Sequence, residues 1–263
     1  MKKLAVAIWR RTISIAILGA IMNACAFGGK ASWKEEVLLN DGKKIILERS
    51  QTRGGRHEIG QDIPVNRHTV SFAVPGTGRT IKWESEFGLE IERSSLLPLA
   101  LDVVGGVPYL VTTTAGCIAY NKWGRPNPPY VFFKFDGKVW QRIPLAEFPA
   151  EIKEANVAIG ALTLRDERRL TGFSGPVPAE EVRKMNAETR NPLVLYLRVF
   201  AREPIKVGQT TDCAEMVYDG SGGWIGIGWF RDQPSYEACL QYCTRHKIAT
   251  QHCPCGHFFK GGK

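Results

Sequence analysis

The sequence predicts a mainly β protein: an antiparallel meander of hairpins, followed by an α+β C-terminal part that is rich in cysteine. Three observations lead to this fold class. Short apolar runs alternate with polar residues between Trp33 and Ile143, tight-turn residues separate those runs, and five of the seven cysteines follow residue 212. Hairpin order alone does not determine how the strands are arranged in space, so a sandwich, a barrel and a partial propeller are all compatible with the sequence.

Four hairpins account for the β-rich body. Asn40-Asp41-Gly42 separates the first two β-prone runs, and Asp-Gly is a strong hairpin signal because both residues tolerate the positive φ of a tight turn. The other turns are predicted at Pro75–Gly78, Gly105-Gly106 and Asp136-Gly137. Cys117–Tyr120 is predicted to form a further strand, and Gln51–Asp62 a polar, glycine-rich loop.

The chain changes character after Pro149, where helices and strands alternate. Ala179–Glu188 is predicted to form a helix with its acidic residues first, and Ser235 is predicted to cap a last helix that runs to about His246. A short helix is predicted at Glu147–Asn156, and strands at Leu193–Phe200, Cys213–Tyr218 and Trp224–Phe230.

The first 24 residues have the features of a bacterial export signal. Positive charges come first, no acidic residue occurs, and the apolar stretch Ile13–Met22 leads to small residues. An uncleaved signal anchor is the alternative, but the apolar segment that ends at Phe27 has about 15 residues, fewer than the roughly 20 that span a bilayer. We therefore expect a cleaved signal and an exported protein.

Two cleavage sites compete at the end of this segment. Met22–Cys25 is similar to a bacterial lipobox, in which a small residue precedes the cysteine that receives the lipid. Ordinary cleavage after Ala24-Cys25-Ala26 is the alternative. We favour lipidation of Cys25, because a cysteine at this place otherwise leaves an odd thiol in a secreted protein. Since Ala26 is not an acidic sorting residue, we expect an outer-membrane lipoprotein, with a soluble periplasmic protein as the alternative.

The charge of the chain argues against nucleic acid as a partner. The formal net charge is +9, of which residues 1–24 carry +4, so the remainder carries 9 − 4 = +5. Nucleic-acid-binding proteins usually concentrate their charge in a basic patch, and none is evident. The expected contacts are the membrane, through the lipid anchor, and another envelope protein or a toxin.

Six cysteines remain after Cys25, an even number. In an exported protein we expect them to form three disulfides, although sequence cannot select one of the fifteen possible connectivities. The alternative is a zinc site that uses the thiolates of the last four. The disulfide candidates are Cys117, Cys213, Cys239, Cys243, Cys253 and Cys255, and the zinc candidates are Cys239, Cys243, Cys253 and Cys255.

No complete catalytic motif is visible, so no catalytic residue and no cofactor are predicted. His57-Glu58 lacks the second histidine of a zinc-protease helix, because Gln61 stands in its place. Asp219–Gly223 resembles a serine-protease nucleophile loop with its first two residues exchanged, but no histidine stands in a partner motif. We interpret Arg53, Arg56, His57 and Glu58 as a candidate interaction loop.

Two segments resemble a known family. Trp33–Gln61 (WKEEVLLNDGKKIILERSQTRGGRHEIGQ) and Tyr120–Pro149 (YNKWGRPNPPYVFFKFDGKVWQRIPLAEFP) are similar to a family of uncharacterised proteobacterial lipoproteins. The resemblance covers roughly residues 1–155 and implies an exported lipoprotein. It implies no activity and supplies no catalytic residue. The cysteine- and histidine-rich tail after about residue 210 does not match the family.

These observations predict four segments and a class of function. The segments are a signal peptide (1–24), a lipidated tether (25–32), a β-rich body (33–155) and an α+β region with a disulfide-rich tail (156–263). The expected function is that of a binding or interaction module of the cell envelope. A periplasmic hydrolase or a metal-dependent envelope enzyme is the alternative.

Overall fold

The structure is a computed structural model that describes residues 29–54, 63, 65–85, 96–159, 163–188, 194–206 and 213–259. It contains ten strands in three antiparallel sheets. Sheet A has the order β1-β2-β3-β4, sheet B has the order β5-β6-β7-β8, and β9 pairs with β10. The strands are β1 (Lys30–Leu38), β2 (Lys44–Arg53), β3 (Val65–Ala73), β4 (Thr80–Glu84), β5 (Leu96–Val104), β6 (Val107–Thr114), β7 (Val131–Phe135), β8 (Trp140–Ile143), β9 (Met216–Tyr218) and β10 (Trp224–Gly226).

Seven short helices are described, together with two 3-10 turns. The helices are α1 (Cys117–Lys122), α2 (Leu164–Thr171), α3 (Ala179–Glu188), α4 (Val194–Arg198), α5 (Gly228–Arg231), α6 (Tyr236–Arg245) and α7 (Cys255–Phe258), and the 3-10 turns are Leu145–Glu147 and Thr250–His252. Across the described part of the chain, no helix has the length and apolar character needed to cross a membrane.

Sheets A and B pack face to face and form a sandwich. One continuous core joins Leu47 and Phe72 of sheet A with Leu101, Leu110 and Phe133 of sheet B. The period-2 alternation of the strands produces this core, because every second side chain of each strand points inwards. The mainly β fold class is confirmed. Of the three predicted alternatives, a sandwich, a barrel and a partial propeller, the structure adopts the sandwich.

Sheet B is covered on both faces. Its second face carries Val111, Tyr130 and Phe132, which pack against Phe148 and Phe200 from the segments that follow β8. Most residues of β5 are therefore buried, whichever face they occupy. This explains why β5 is a nearly continuous apolar run instead of an alternating one.

The hairpin turns form where the turn residues predict them. Gly42 has a φ of +82° and Gly137 a φ of +98°, both in the region that glycine adopts without strain. Asp136 Oδ1 accepts hydrogen bonds of 2.8 Å from the backbone N–H groups of Lys138 and Val139, which fixes the β7–β8 turn. The first hairpin extends further than expected: β1 begins at Lys30, inside the predicted tether.

Two predicted strands are helices in the structure. Cys117–Tyr120 belongs to α1, which follows Gly116 at a φ of +92° and whose Cys117 is bonded to Cys213. Leu193–Phe200 contains α4, of which Leu197 packs onto sheet B. Both segments are short apolar runs, and periodicity cannot separate a strand from a single helical turn over so few residues.

Three further expectations are wrong. The predicted strand Trp224–Phe230 ends at Gly226, and α5 begins at Gly228. Glu147–Asn156 is not an α-helix: Glu147 ends a 3-10 turn, and Glu154 forms a bridge with Val199. Gln51, the first residue of the predicted loop, is part of β2, which continues to Arg53. By contrast, helix α3 has the predicted bounds, and Ser235 caps α6 by accepting a hydrogen bond of 3.2 Å from the N–H of Ala238.

The last described segment, 213–259, forms a small unit with its own core around Phe230 and the tail cysteines. α1 joins this unit to the body through the disulfide Cys117–Cys213. Asn121 Nδ2 donates to the carbonyl of Ala214 at 3.0 Å, and Arg125 Nη2 donates to the carbonyl of Cys213 at 2.9 Å.

Candidate functional site

The inner face of sheet A ends in a buried charge cluster, formed by Glu35, Arg49 and His68. Arg49 Nη1 lies 2.9 Å from Glu35 Oε1 and also donates to the carbonyl of Ala158 at 2.8 Å. Arg49 Nε donates to His68 Nε2 at 3.2 Å. Because the guanidinium can only donate, Nε2 of His68 must be the acceptor, which places the ring proton on Nδ1.

The surroundings of this cluster hold His68 neutral. Burial, and then the positive charge of Arg49, lower the pKa of His68 well below its usual value. Glu35 and Arg49 are 0% and 2% exposed, so the pair has no contact with solvent. The described residues offer no hydrogen-bond partner to Nδ1 of His68. A closed, paired arrangement of this kind holds strands together and is not accessible to a substrate.

The neutral state of His68 predicts a pH dependence of stability. Below about pH 6.5 the unfolded chain binds a proton at this residue and the folded chain does not, so stability must fall as pH falls. The slope approaches about 1.4 kcal/mol per pH unit below that value. We expect His68→Gln to remove this slope between pH 6.5 and 5 in urea unfolding curves. An unchanged slope in the variant would contradict the assignment.

Arg53 of the candidate interaction loop lies in the sheet. It is the last residue of β2 and is 5% exposed, its Nε lies 2.8 Å from Glu167 Oε2, and its Nη1 donates to the carbonyl of Ile63 at 2.8 Å. The inward alternation of β2 continues through Arg53, so its side chain points to α2 instead of solvent. Arg56, His57 and Glu58 lie outside the described residues.

The Asp219–Gly223 loop is built as a turn. Asp219 Oδ1 accepts hydrogen bonds of 2.8 Å from the N–H groups of Ser221 and Gly223. The first of these bonds is the main cause that lowers the pKa of Asp219, and the nearby charge of His246 contributes least. A nucleophilic triad needs the histidine between serine and carboxylate, whereas Ser221 bonds Asp219 directly.

A carboxyl with a raised pKa lies elsewhere, in a pocket of about 280 Å³ beside α3. Burial raises the pKa of Asp102, which accepts a hydrogen bond of 2.9 Å from the N–H of Asn40. Asp102 Oδ1 accepts a second bond, of 2.8 Å, from the N–H of Val103. Both carboxylate oxygens of Asp102 therefore accept hydrogen bonds from backbone N–H groups at the ends of hairpin strands, and this carboxyl is a structural group.

An open, partly apolar cleft lies where three hairpin turns meet at one end of the sandwich. This turn-end cleft has a volume of about 600 Å³. Arg79 and Lys134 give it a cationic rim, and the guanidinium of Arg79 lies 5.3 Å from the ring centre of Phe135. The carboxylate of Asp136 is held by backbone N–H groups, which lower its pKa. The cleft is lined by Val74, Thr77, Arg79, Ile81, Gly106, Val107, Pro108, Lys134, Phe135, Asp136 and Gly137.

All six cysteines after Cys25 are paired. Cys117 bonds Cys213, Cys239 bonds Cys255, and Cys243 bonds Cys253. The predicted three disulfides are thus present, with Cys239 and Cys243 one turn apart on α6. The sulfurs of Cys243, Cys253 and Cys255 come within 4.8 Å of one another, as the ligands of a metal would. Zinc needs thiolates, however, and each of these sulfurs is held in a disulfide. Cys25 lies outside the described residues.

Sequence reasoning did not place Glu35, Arg49 and His68 together in a buried cluster. The signal was present, because all three occupy inward positions in strands that also place apolar residues on the same face. A charged residue at such a position indicates a buried pair.

Comparison with known proteins adds no functional assignment. No protein-family model matches the chain, and no curated protein and no solved structure is significantly similar to it.

Proposed function

We propose that this chain is an exported envelope protein, anchored by a lipid on Cys25, that acts as a binding module. The observation that carries the proposal is the pairing of all six later cysteines in three disulfides. Disulfides of this kind persist in oxidising compartments such as the periplasm. Cys25 is then the odd cysteine of the chain, and a lipid would occupy its thiol. The similarity of Met22–Cys25 to a lipobox supports the same proposal, and Ala26 favours the outer membrane.

Binding is favoured over catalysis by the type of surface that is accessible. The cluster of ionisable residues Glu35, Arg49 and His68 is buried in the core. In the Ser221 loop the serine bonds Asp219 directly, without the histidine that a catalytic triad places between them. The turn-end cleft is open, has an apolar floor and carries Arg79 and Lys134 at its rim. Its chemistry suits an apolar segment that carries an acidic group, on another envelope protein or on a toxin.

The anchor is tested by the intact mass of the mature protein extracted from membranes. We expect a chain that begins at a diacylglyceryl-modified Cys25 and has lost the six thiol hydrogens of three disulfides. Cys25→Ser should shift the protein from the membrane fraction to the soluble fraction. An unmodified N-terminus at Phe27, or free thiols with bound zinc, would refute the proposal.

A cross-linking experiment in cells that express the protein distinguishes binding from catalysis. A photo-cross-linking residue at position 107, inside the cleft, should form adducts with an envelope partner. The matched control is position 139, a valine that is 57% exposed and lies outside the cleft. If the cleft position gives no more adducts than position 139, while His57→Ala or Ser221→Ala abolishes the cellular function, the hydrolase alternative gains.

A further inference from the structure

We propose that the four cysteines of the tail form a thiol–disulfide exchange site. Its substrates would be cysteine thiols of other exported molecules. Cys253 is the sulfur that meets the substrate thiol, and Cys243, Cys255 and Cys239 form a relay behind it. This activity goes beyond the proposed binding function and does not depend on the lipid anchor or on the turn-end cleft.

The positions of the four sulfurs carry the proposal. The two disulfides of the tail touch each other: Sγ of Cys253 lies 3.3 Å and Sγ of Cys243 lies 3.8 Å from Sγ of Cys255. These are contact distances between sulfurs that are not bonded to one another. A thiolate released from one bridge is therefore already in contact with the other bridge.

Burial gives the relay a direction. Cys239, Cys243 and Cys255 are 0%, 3% and 1% exposed. Cys253 is the partly exposed member of the cluster. An external thiolate can therefore reach Cys253 first, whereas Cys239 is fully buried and is the last cysteine of the relay.

The charge of the segment that carries the cluster also favours thiolates. From Ala238 to the end of the chain at Lys263 there is no acidic residue. Two basic residues and three histidines lie in the same segment and are all exposed: Arg245, His246, Lys247, His252 and His257. Cationic surroundings and partial exposure are the conditions under which cysteine is reactive.

The exchange is balanced at each step. A substrate thiolate attacks Sγ of Cys253, forms a mixed disulfide and displaces Cys243 as a thiolate. That thiolate attacks Sγ of Cys255 and displaces Cys239, so that a Cys243–Cys255 bond replaces Cys239–Cys255. A second substrate thiolate then attacks the mixed disulfide. It releases the oxidised substrate and leaves two thiols on the protein, one of them on Cys253.

The relay is tested by locating the free thiol in Cys253→Ser. The disulfide-bonded protein is alkylated with N-ethylmaleimide and its peptides are mapped by mass spectrometry. The relay predicts that the thiol is shared between Cys243 and Cys239, with the Cys239 signal no less than roughly a tenth of the Cys243 signal. A thiol found on Cys243 alone would overturn the proposal.

A matched control is Cys213→Ser, which leaves a single thiol on Cys117. No other sulfur contacts the Cys117–Cys213 bridge among the described residues, so this thiol should stay on Cys117. Migration of the thiol in this variant would show that exchange during folding, and not the relay, moves it.

Wild-type protein provides a second test that needs no variant to fold. With limiting reduced glutathione, the first mixed disulfide should map to Cys253. The alkylated partner should again be split between Cys243 and Cys239. Opening of the Cys239–Cys255 bridge while Cys253 stays unlabelled would overturn the proposed order.

Discussion

Replacing Arg49 with methionine is expected to lower the free energy of unfolding by about 3–5 kcal/mol. The variant leaves the carboxylate of Glu35 buried without its cation, since Glu35 is 0% exposed and its Oε1 lies 2.9 Å from Arg49 Nη1. It also removes the donors that the carbonyl of Ala158 and Nε2 of His68 use. Urea unfolding with the disulfides intact measures the loss.

A matched control lies on the opposite face of the same two strands. Lys34 pairs with Glu48 at 2.6 Å, one residue from Glu35 and Arg49 respectively, but its side chain is 55% exposed. Lys34→Met should cost no more than about 1 kcal/mol, because solvent screens exposed pairs. Adding Glu35→Leu to Arg49→Met should recover a large part of the loss, since the uncompensated charge is then gone. Equal losses for Arg49→Met and Lys34→Met would contradict the account.

The elements that sequence predicted well are those in which local and tertiary signals agree. Asn40-Asp41-Gly42 specifies a tight turn by its own conformational preferences, and the alternating runs on both sides bury one face. Helix α3 has a proline shortly before it and acidic residues in its first turn. Each of these signals is complete within about ten residues of chain.

The predictions that were wrong concern residues whose local structure or burial depends on contacts with distant parts of the chain. Cys117–Tyr120 is an apolar run that would suit a strand, but its bond to Cys213, far along the chain, and the burial of Tyr120 accompany a helical turn. Arginine is usually found at the surface, and the burial of Arg53 depends on its ion pair with Glu167 of α2, which is distant in sequence. The pairing of six cysteines was predictable, whereas the connectivity was not, because it depends on which sulfurs the fold brings into contact.

The disulfide Cys117–Cys213 is expected to be the most stabilising of the three. It spans 96 residues, whereas Cys243–Cys253 spans 10. In the chain-entropy description a loop of about 100 residues corresponds to about 4.7 kcal/mol, and the cost falls with the logarithm of loop length. The double variant Cys117→Ser/Cys213→Ser should therefore lose about 4–5 kcal/mol in urea unfolding followed by tryptophan fluorescence.

The control for this prediction is Cys243→Ser/Cys253→Ser, which opens a short loop and leaves Cys239–Cys255 in place. It should lose roughly 2 kcal/mol less than the long-loop variant, if loop length is the dominant factor. Without the long bridge, hydrogen bonds of Asn121 and Arg125 still join the C-terminal unit to the body. Equal losses in the two double variants would show that local packing around the sulfurs, and not the constraint on the unfolded chain, accounts for the stabilisation.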